Sequence, residues 1–168
     1  RTFPHLAGNG HLKQLQTIAV DMLKWLETFC HPDGQIAFFN DAAFNLAATP
    51  AAIRSYASRL NIKTRSSSKD HNGPSLKHYP DSGYAVLEVH NAKLLIDIAS
   101  IGPDYLPGHG HADTLSFEMS LFGKRIFVNR GTSQYGLGEV RQVERGTAAH
   151  NTVVINFEDS SEVWSGFR

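Results

Sequence analysis

Two histidines one residue apart, His109 and His111, stand in the stretch Pro107-Gly108-His109-Gly110-His111-Ala112-Asp113-Thr114. Imidazoles donate and accept protons near neutral pH, and their neutral ring nitrogens bind transition metals. With Asp113 they form a set that could hold an ion or move protons. Two glycines and a proline let the backbone turn sharply there and pass close to a neighbour. If strand geometry begins early, His109, His111 and Asp113 point to one side at i, i+2 and i+4. The plainer reading is a polar turn that caps a strand. Three more polar groups sit at strand ends: Asn129 before Arg130-Gly131-Thr132, Tyr135 in the loop Ser133 to Gly138, and His150 in Thr147-Ala148-Ala149-His150-Asn151-Thr152. Singly they read as turn formers and a half-buried aromatic; together they stand where strand ends could gather them into one cleft.

The elements that must position these groups change period along the chain. From His11 to about Phe29 the residues Leu12, Leu15, Ile18, Met22, Trp25, Leu26 and Phe29 recur at steps of three and four, which predicts an amphipathic helix with Asn9 as a plausible N-cap. His31-Pro32-Asp33-Gly34 ends it, and Gln35 to Phe39 reads as a short extended piece. Pro50 to Leu60 predicts a second helix, with Thr49 as N-cap and Pro50 in the first turn. Beyond residue 76 the period is two. Tyr84 to Val89 and Lys93 to Ile98 form one predicted hairpin around His90-Asn91-Ala92. Leu115 to Leu121 and Arg125 to Asn129 form another around Phe122-Gly123-Lys124, with Leu115, Phe117, Met119 and Leu121 as its buried face. Thr152 to Asn156 is a further predicted strand. The breaker-rich stretch 63–76 separates the two regimes as a linker or loop.

Bulk properties narrow the function. The 168 residues are 41% hydrophobic, enough for a core, and sixteen basic side chains balance sixteen acidic ones. Zero formal charge gives no footprint for non-specific nucleic-acid binding or an anionic membrane, and no apolar run reaches the roughly 18 residues of a membrane span. The single cysteine, Cys30, reads as inert packing. Of the nine histidines, His5, His11, His31, His71 and His78 fall in loops or at element ends and call for no special role. The chain starts without a methionine and stops after Trp164-Ser165-Gly166-Phe167-Arg168, as a piece of a longer protein would.

The motifs Pro107-Gly-His-Gly-His-Ala-Asp-Thr-Leu-Ser-Phe-Glu, Phe127-Val-Asn-Arg-Gly-Thr, Thr147-Ala-Ala-His-Asn-Thr-Val-Val and Glu158-Asp-Ser-Ser-Glu-Val-Trp, in this order, resemble the heparinase II/III-like family of polysaccharide lyases. The likeness is strongest over residues 77 to 168. It implies an α+β chain: the C-terminal helices of an incomplete (α/α) toroid at 1–62, the linker at 63–76, and the start of an antiparallel β-sandwich at 77–168. It also implies cleavage of uronic-acid polysaccharides by β-elimination, with an acidic polysaccharide as partner and a periplasmic or secreted location. A base takes the C5 proton while the carboxylate charge is neutralised, and an acid protonates the leaving oxygen at C4. Donors must stabilise the developing enolate, and tyrosine and histidine suit the acid and base roles. Position by position, His109 matches the sandwich-domain histidine that reaches into the catalytic cleft, and Tyr135 falls near a tyrosine of that domain. His111 and His150 match two ligands of a bracing zinc ion. Asn129 stands where the family carries an aspartate, a neutral and weaker ligand, with Asp113 as a possible substitute. The principal catalytic tyrosine and the group that neutralises the carboxylate belong to the toroid, upstream of Arg1, so the chain holds part of an active site and is not expected to act alone.

Two other classes compete. His109-x-His111-x-Asp113 superficially copies the metal motif of the metallo-β-lactamase superfamily, which would make the protein a zinc metallohydrolase, but Thr114 stands where that motif has another histidine. A non-catalytic carbohydrate-binding sandwich would use His109 and Tyr135 only to contact sugar.

Overall fold

The computed structural model describes residues 9–62, 73–102, 105–106 and 108–167. The first helix, α1 (Asn9–Thr28), follows the predicted repeat, and α2 (Pro50–Arg59) starts where Thr49 accepts a hydrogen bond from the Ala52 N–H at 3.2 Å, with Pro50 where a missing N–H is harmless. Five strands follow: β1 (Ser75–Tyr79), β2 (Tyr84–Val89), β3 (Ala92–Asp97), β4 (Phe117–Leu121) and β5 (Lys124–Phe127). They form one antiparallel sheet in sequence order, β1-β2-β3-β4-β5. Both predicted hairpins are present, and β1 adds an unpredicted strand that begins at Ser75, at the end of the expected linker, and runs to Tyr79. The rest of the expected linker, up to residue 72, lies outside the described residues, as does Pro107. The α+β class is the architecture observed, with two helices before the antiparallel sheet and a short one after it.

Register decides which side chains share a face. Val86 pairs with Leu95 and Leu95 with Glu118, so these three line one row across the sheet. Ala37 and Phe39, from the loop after α1, close over Val86 and Leu95 to make the core, flanked by Phe29, Tyr79 and Tyr84. Trp25 packs edge-on against Tyr79 at 4.9 Å, fixing α1 to the same face. Loop and sheet therefore share one core across the expected boundary.

Here the sequence expectation for β4 is inverted. Phe117, Met119 and Leu121 are only half-buried, whereas Ser116, Glu118 and Ser120 are fully buried. The polar face is the inner one because the loop after α1 brings its own polar partner. His31, 3% exposed, meets Glu118 Oε2 through Nε2 and Ser120 Oγ through Nδ1, both at 2.6 Å. Glu118 also accepts the backbone N–H groups of Phe38 at 2.8 Å and Asn129 at 2.9 Å. His31, expected to have no special role, thus clamps the loop to the sheet.

A second correction concerns Thr152 to Asn156, which is not a strand: an isolated bridge joins Ile155 and Glu158. Before it, the chain from Gly138 forms a short helix, α3 (Glu139–Arg145), and a single 3₁₀ turn, Thr147–Ala149. Glu139 in the first turn and Arg145 in the last suit the helix dipole. No described helix is long and apolar enough to cross a membrane.

Candidate functional site

The stretch from Gly108 to Ser116 is irregular, not strand, so alternation does not aim its side chains. It is held from α3 instead. The Ala112 N–H donates to the Arg145 carbonyl at 2.8 Å, Arg145 Nε donates to the Gly110 carbonyl at 3.0 Å, and Thr147 Oγ1 donates to the Ala112 carbonyl at 2.7 Å. Gly110 is required by a close approach, since a Cβ there would collide with the Ile101 carbonyl oxygen. Gly131, at φ 62°, packs against the Ala42 carbonyl in the same way and brings the Thr132 to Tyr135 loop beside residue 41.

This scaffold does unite His109 and His111, but on Asp41, a residue the sequence reading passed over. His109 Nδ1 lies 2.7 Å from Asp41 Oδ2, and His111 Nε2 lies 2.9 Å from Asp41 Oδ1. Arg141, from α3, grips both carboxylate oxygens, its NH1 on Oδ1 and its NH2 on Oδ2 at 2.9 Å. It also donates to Thr132 Oγ1 at 3.0 Å and to the Gly166 carbonyl at 3.2 Å. Burial alone would raise the Asp41 pKa. The bonds from His111, Arg141 and His109 outweigh it and hold the carboxyl well below its usual range. The two imidazoles differ in access: the His109 side chain is 72% exposed, the His111 side chain fully buried.

Tyr135 joins this group. Its ring centroid is 6.4 Å from that of His109, edge-on, and it stacks on Phe167 at 5.8 Å. The Arg141 guanidinium lies over the Tyr135 ring at 5.4 Å. The exposed face of the cluster thus offers an imidazole and a phenol side by side.

Asp113 does not join. It is buried, makes no hydrogen bond to either histidine, and lies close enough to Asp97 to feel its charge. Burial first, then Asp97, pushes its carboxyl up to about 7. The His-x-His-x-Asp hydrolase pattern would need all three side chains on one ion, whereas the fold sets His109 and His111 on Asp41 and leaves Asp113 out.

Behind His111 lies His150, the rings 5.3 Å apart. Nδ1 of His111 and both ring nitrogens of His150 are buried with no hydrogen-bond partner among the described residues. Burial, then the neighbouring His111, pulls His150 down to about 4, so the ring is neutral at neutral pH, with one nitrogen carrying a proton and the other a lone pair. Unpartnered, neutral, buried imidazole nitrogens fit a soft or borderline metal ion. Asn129 is nearby but engaged: its Nδ2 donates to Ser116 Oγ at 3.3 Å and its Oδ1 accepts the Asn151 N–H at 3.2 Å. Among the described residues no three His, Cys, Asp or Glu side chains make a metal site, so any ion there would rest on the two histidines and the Asn129 oxygen.

Sequence reasoning missed Asp41, Arg141, Arg145 and Glu144. Glu144 accepts from Ser133 Oγ at 2.5 Å and the Ser133 N–H at 3.1 Å, holding the Tyr135 loop. Arg141 and Arg145, one helical turn apart and fully buried, look in sequence like an ordinary charged surface. Asp41 looks like a turn former.

An α+β fold that brings this constellation to one end of an antiparallel sheet matches a known class. Residues 71–168 match the family described as Heparinase II/III-like, C-terminal, and the chain belongs to that family. A heparinase III gene product solved with methylated lysines is similar over 90% of this chain and 25% of its own, at 19% identity and a TM-score of 0.63. A crystal structure of heparinase III is similar over 95% of this chain and 28% of its own, at 16% identity and a TM-score of 0.64. The chain therefore spans about a quarter of the length of these solved structures, and the likeness is one of fold. No curated protein matches.

Proposed function

We propose that the protein carrying this chain is a polysaccharide lyase that cleaves uronic-acid-containing polymers by β-elimination, outside the cytoplasm. The observation that supports this best is the His109 imidazole, exposed at its tip, tethered through Nδ1 to a buried carboxylate and flanked by Tyr135. In the reaction a base removes the C5 proton, the C4–O bond breaks, a C4–C5 double bond forms, and the leaving oxygen takes a proton. His109 and Tyr135 are the groups of this chain that could carry one of those protons. Charge neutralisation at the substrate carboxylate would fall to the toroid residues that the resemblance implies, and Arg141 is already committed to Asp41.

The buried layer would brace the cleft. His111 and His150, with the amide oxygen of Asn129, would hold a zinc ion. Bound there, zinc would supply cross-linking between the His109 loop and the segment after α3, not a reacting group.

The full-length protein, incubated with heparin, heparan sulfate, alginate and acidic exopolysaccharides, should release products with the ultraviolet absorbance of an unsaturated uronate. Absence of such products on every uronate polymer would overturn the reading and leave a carbohydrate-binding module.

A further inference from the structure

We infer that Asp41 is a positioning residue that sets the proton placement of two imidazoles at once, on Nδ1 of His109 and on Nε2 of His111. An ionised carboxylate only accepts hydrogen bonds, so each ring nitrogen facing it carries the proton. The facing atoms are close enough for this, with His109 Nδ1 at 2.7 Å from one oxygen and His111 Nε2 at 2.9 Å from the other. In the neutral rings this leaves the other nitrogens bare: Nε2 of His109 on the exposed side, and Nδ1 of His111 in the buried layer, where it has no partner among the described residues.

Arg141 keeps that arrangement in place. It is fully buried, holds both Asp41 oxygens and is itself fixed by Thr132 Oγ1 and the Gly166 carbonyl. Its NH1 comes within 3.5 Å of His111 Nε2, a close approach and not a donation, because that nitrogen's proton goes to Asp41. The His109 ring is further confined by Tyr135 at 6.4 Å and Phe167 at 6.0 Å, both edge-on. An imidazole held through one nitrogen presents the other in a fixed direction, and mutating such an outer partner typically costs about 10- to 100-fold in activity.

The catalytic consequence rests on the lyase reading; the proton placement does not. The test uses the full-length protein with isotopically labelled histidine and long-range proton–nitrogen correlation spectra, His109 and His111 being assigned by loss of their signals in single variants. The unmodified protein should show His109 protonated at Nδ1 and His111 at Nε2. Asp41→Asn should scramble the His109 form and lower kcat roughly 10- to 100-fold with KM little changed. Finding His109 protonated at Nε2 in the unmodified protein overturns the inference even if Asp41→Asn fails to fold. So does an Asp41→Asn protein with both the spectrum and kcat unchanged. If the unmodified protein makes no unsaturated product, the lyase reading falls while the spectra still decide the role of Asp41.

Discussion

Of the histidine–carboxylate pairs that tie the segment after α1 to the rest of the chain, two have opposite fates. His31 and Glu118 meet at 2.6 Å with both side chains fully buried, and the second nitrogen of His31 is used up by Ser120. His109 and Asp41 meet at 2.7 Å with the carboxylate buried and the imidazole mostly exposed. The chemistry of each pair is the same; access differs. A histidine bonded at both nitrogens and sealed from water can only cross-link. A histidine bonded at one nitrogen, with the other facing solvent, is oriented for a reaction. The triad-like order Ser120–His31–Glu118 therefore reads as architecture, and the less symmetrical Asp41–His109 pair is the one the proposed reaction would use.

Breaking each pair should separate these roles. The largest effect is expected for His109→Ala in the full-length protein: turnover falling on the order of 10²- to 10⁴-fold, the usual contribution of a proton-transfer group. Its thermal melt should stay within about 0.5 kcal/mol of the parent, as for an exposed side chain. Near-normal rates would move the working site elsewhere.

His31→Ala should do the reverse. Glu118 would lose a hydrogen bond inside the core, so stability should drop by about 3 kcal/mol. Denaturant titration measures this, and any folded fraction should keep its per-molecule rate. A melt unchanged from the parent would show the buried pair to be idle.

His150→Ala sharpens the comparison by testing what lies behind the exposed pair. Metal analysis should find about one zinc per chain in the parent and none in the variant. Melting should fall with the metal, while a chelator that lowers the parent's melt should leave the variant's unmoved. A variant that keeps its zinc would remove His150 from the site.

The smallest effect concerns a carboxylate without a cation. Burial raises the pKa of Asp97, whereas Asp41, held by Arg141 and two histidines, is lowered. A raised folded-state pKa means the native form binds the proton more tightly. The associated stability is full below the unfolded pKa and is lost as pH rises through the folded one. Asp97→Asn keeps an oxygen to accept the Ala99 N–H, which lies 2.8 Å from Asp97 Oδ1 in the parent, and sheds the buried charge. It should be modestly more stable than the parent at neutral pH, with the gap closing in acid. Parallel melting curves at all pH values would contradict this.

The sequence by itself determined what depends on neighbours along the chain. Apolar steps of three and four made α1, Thr49-Pro50 started α2, and alternation around His90-Asn91 and Phe122-Gly123 made the two hairpins. The motifs also marked His109, His111, His150, Asn129 and Tyr135, since glycine-rich turns between polar and aromatic residues are local signals. Alternation could not say which face of β4 would be inside, because that depended on His31, 87 residues away from Glu118. Nor could it find Asp41, whose partners His109 and Arg141 are 68 and 100 positions distant. Residues 152–156 read as a strand from their valines and isoleucine, yet make only one bridge, at Ile155. Strand propensity is a packing preference and takes effect only where a partner strand is supplied. Charge pairing and burial are settled by contacts across the fold, so only the tertiary structure decided which histidine stays open to solvent and which one is sealed inside.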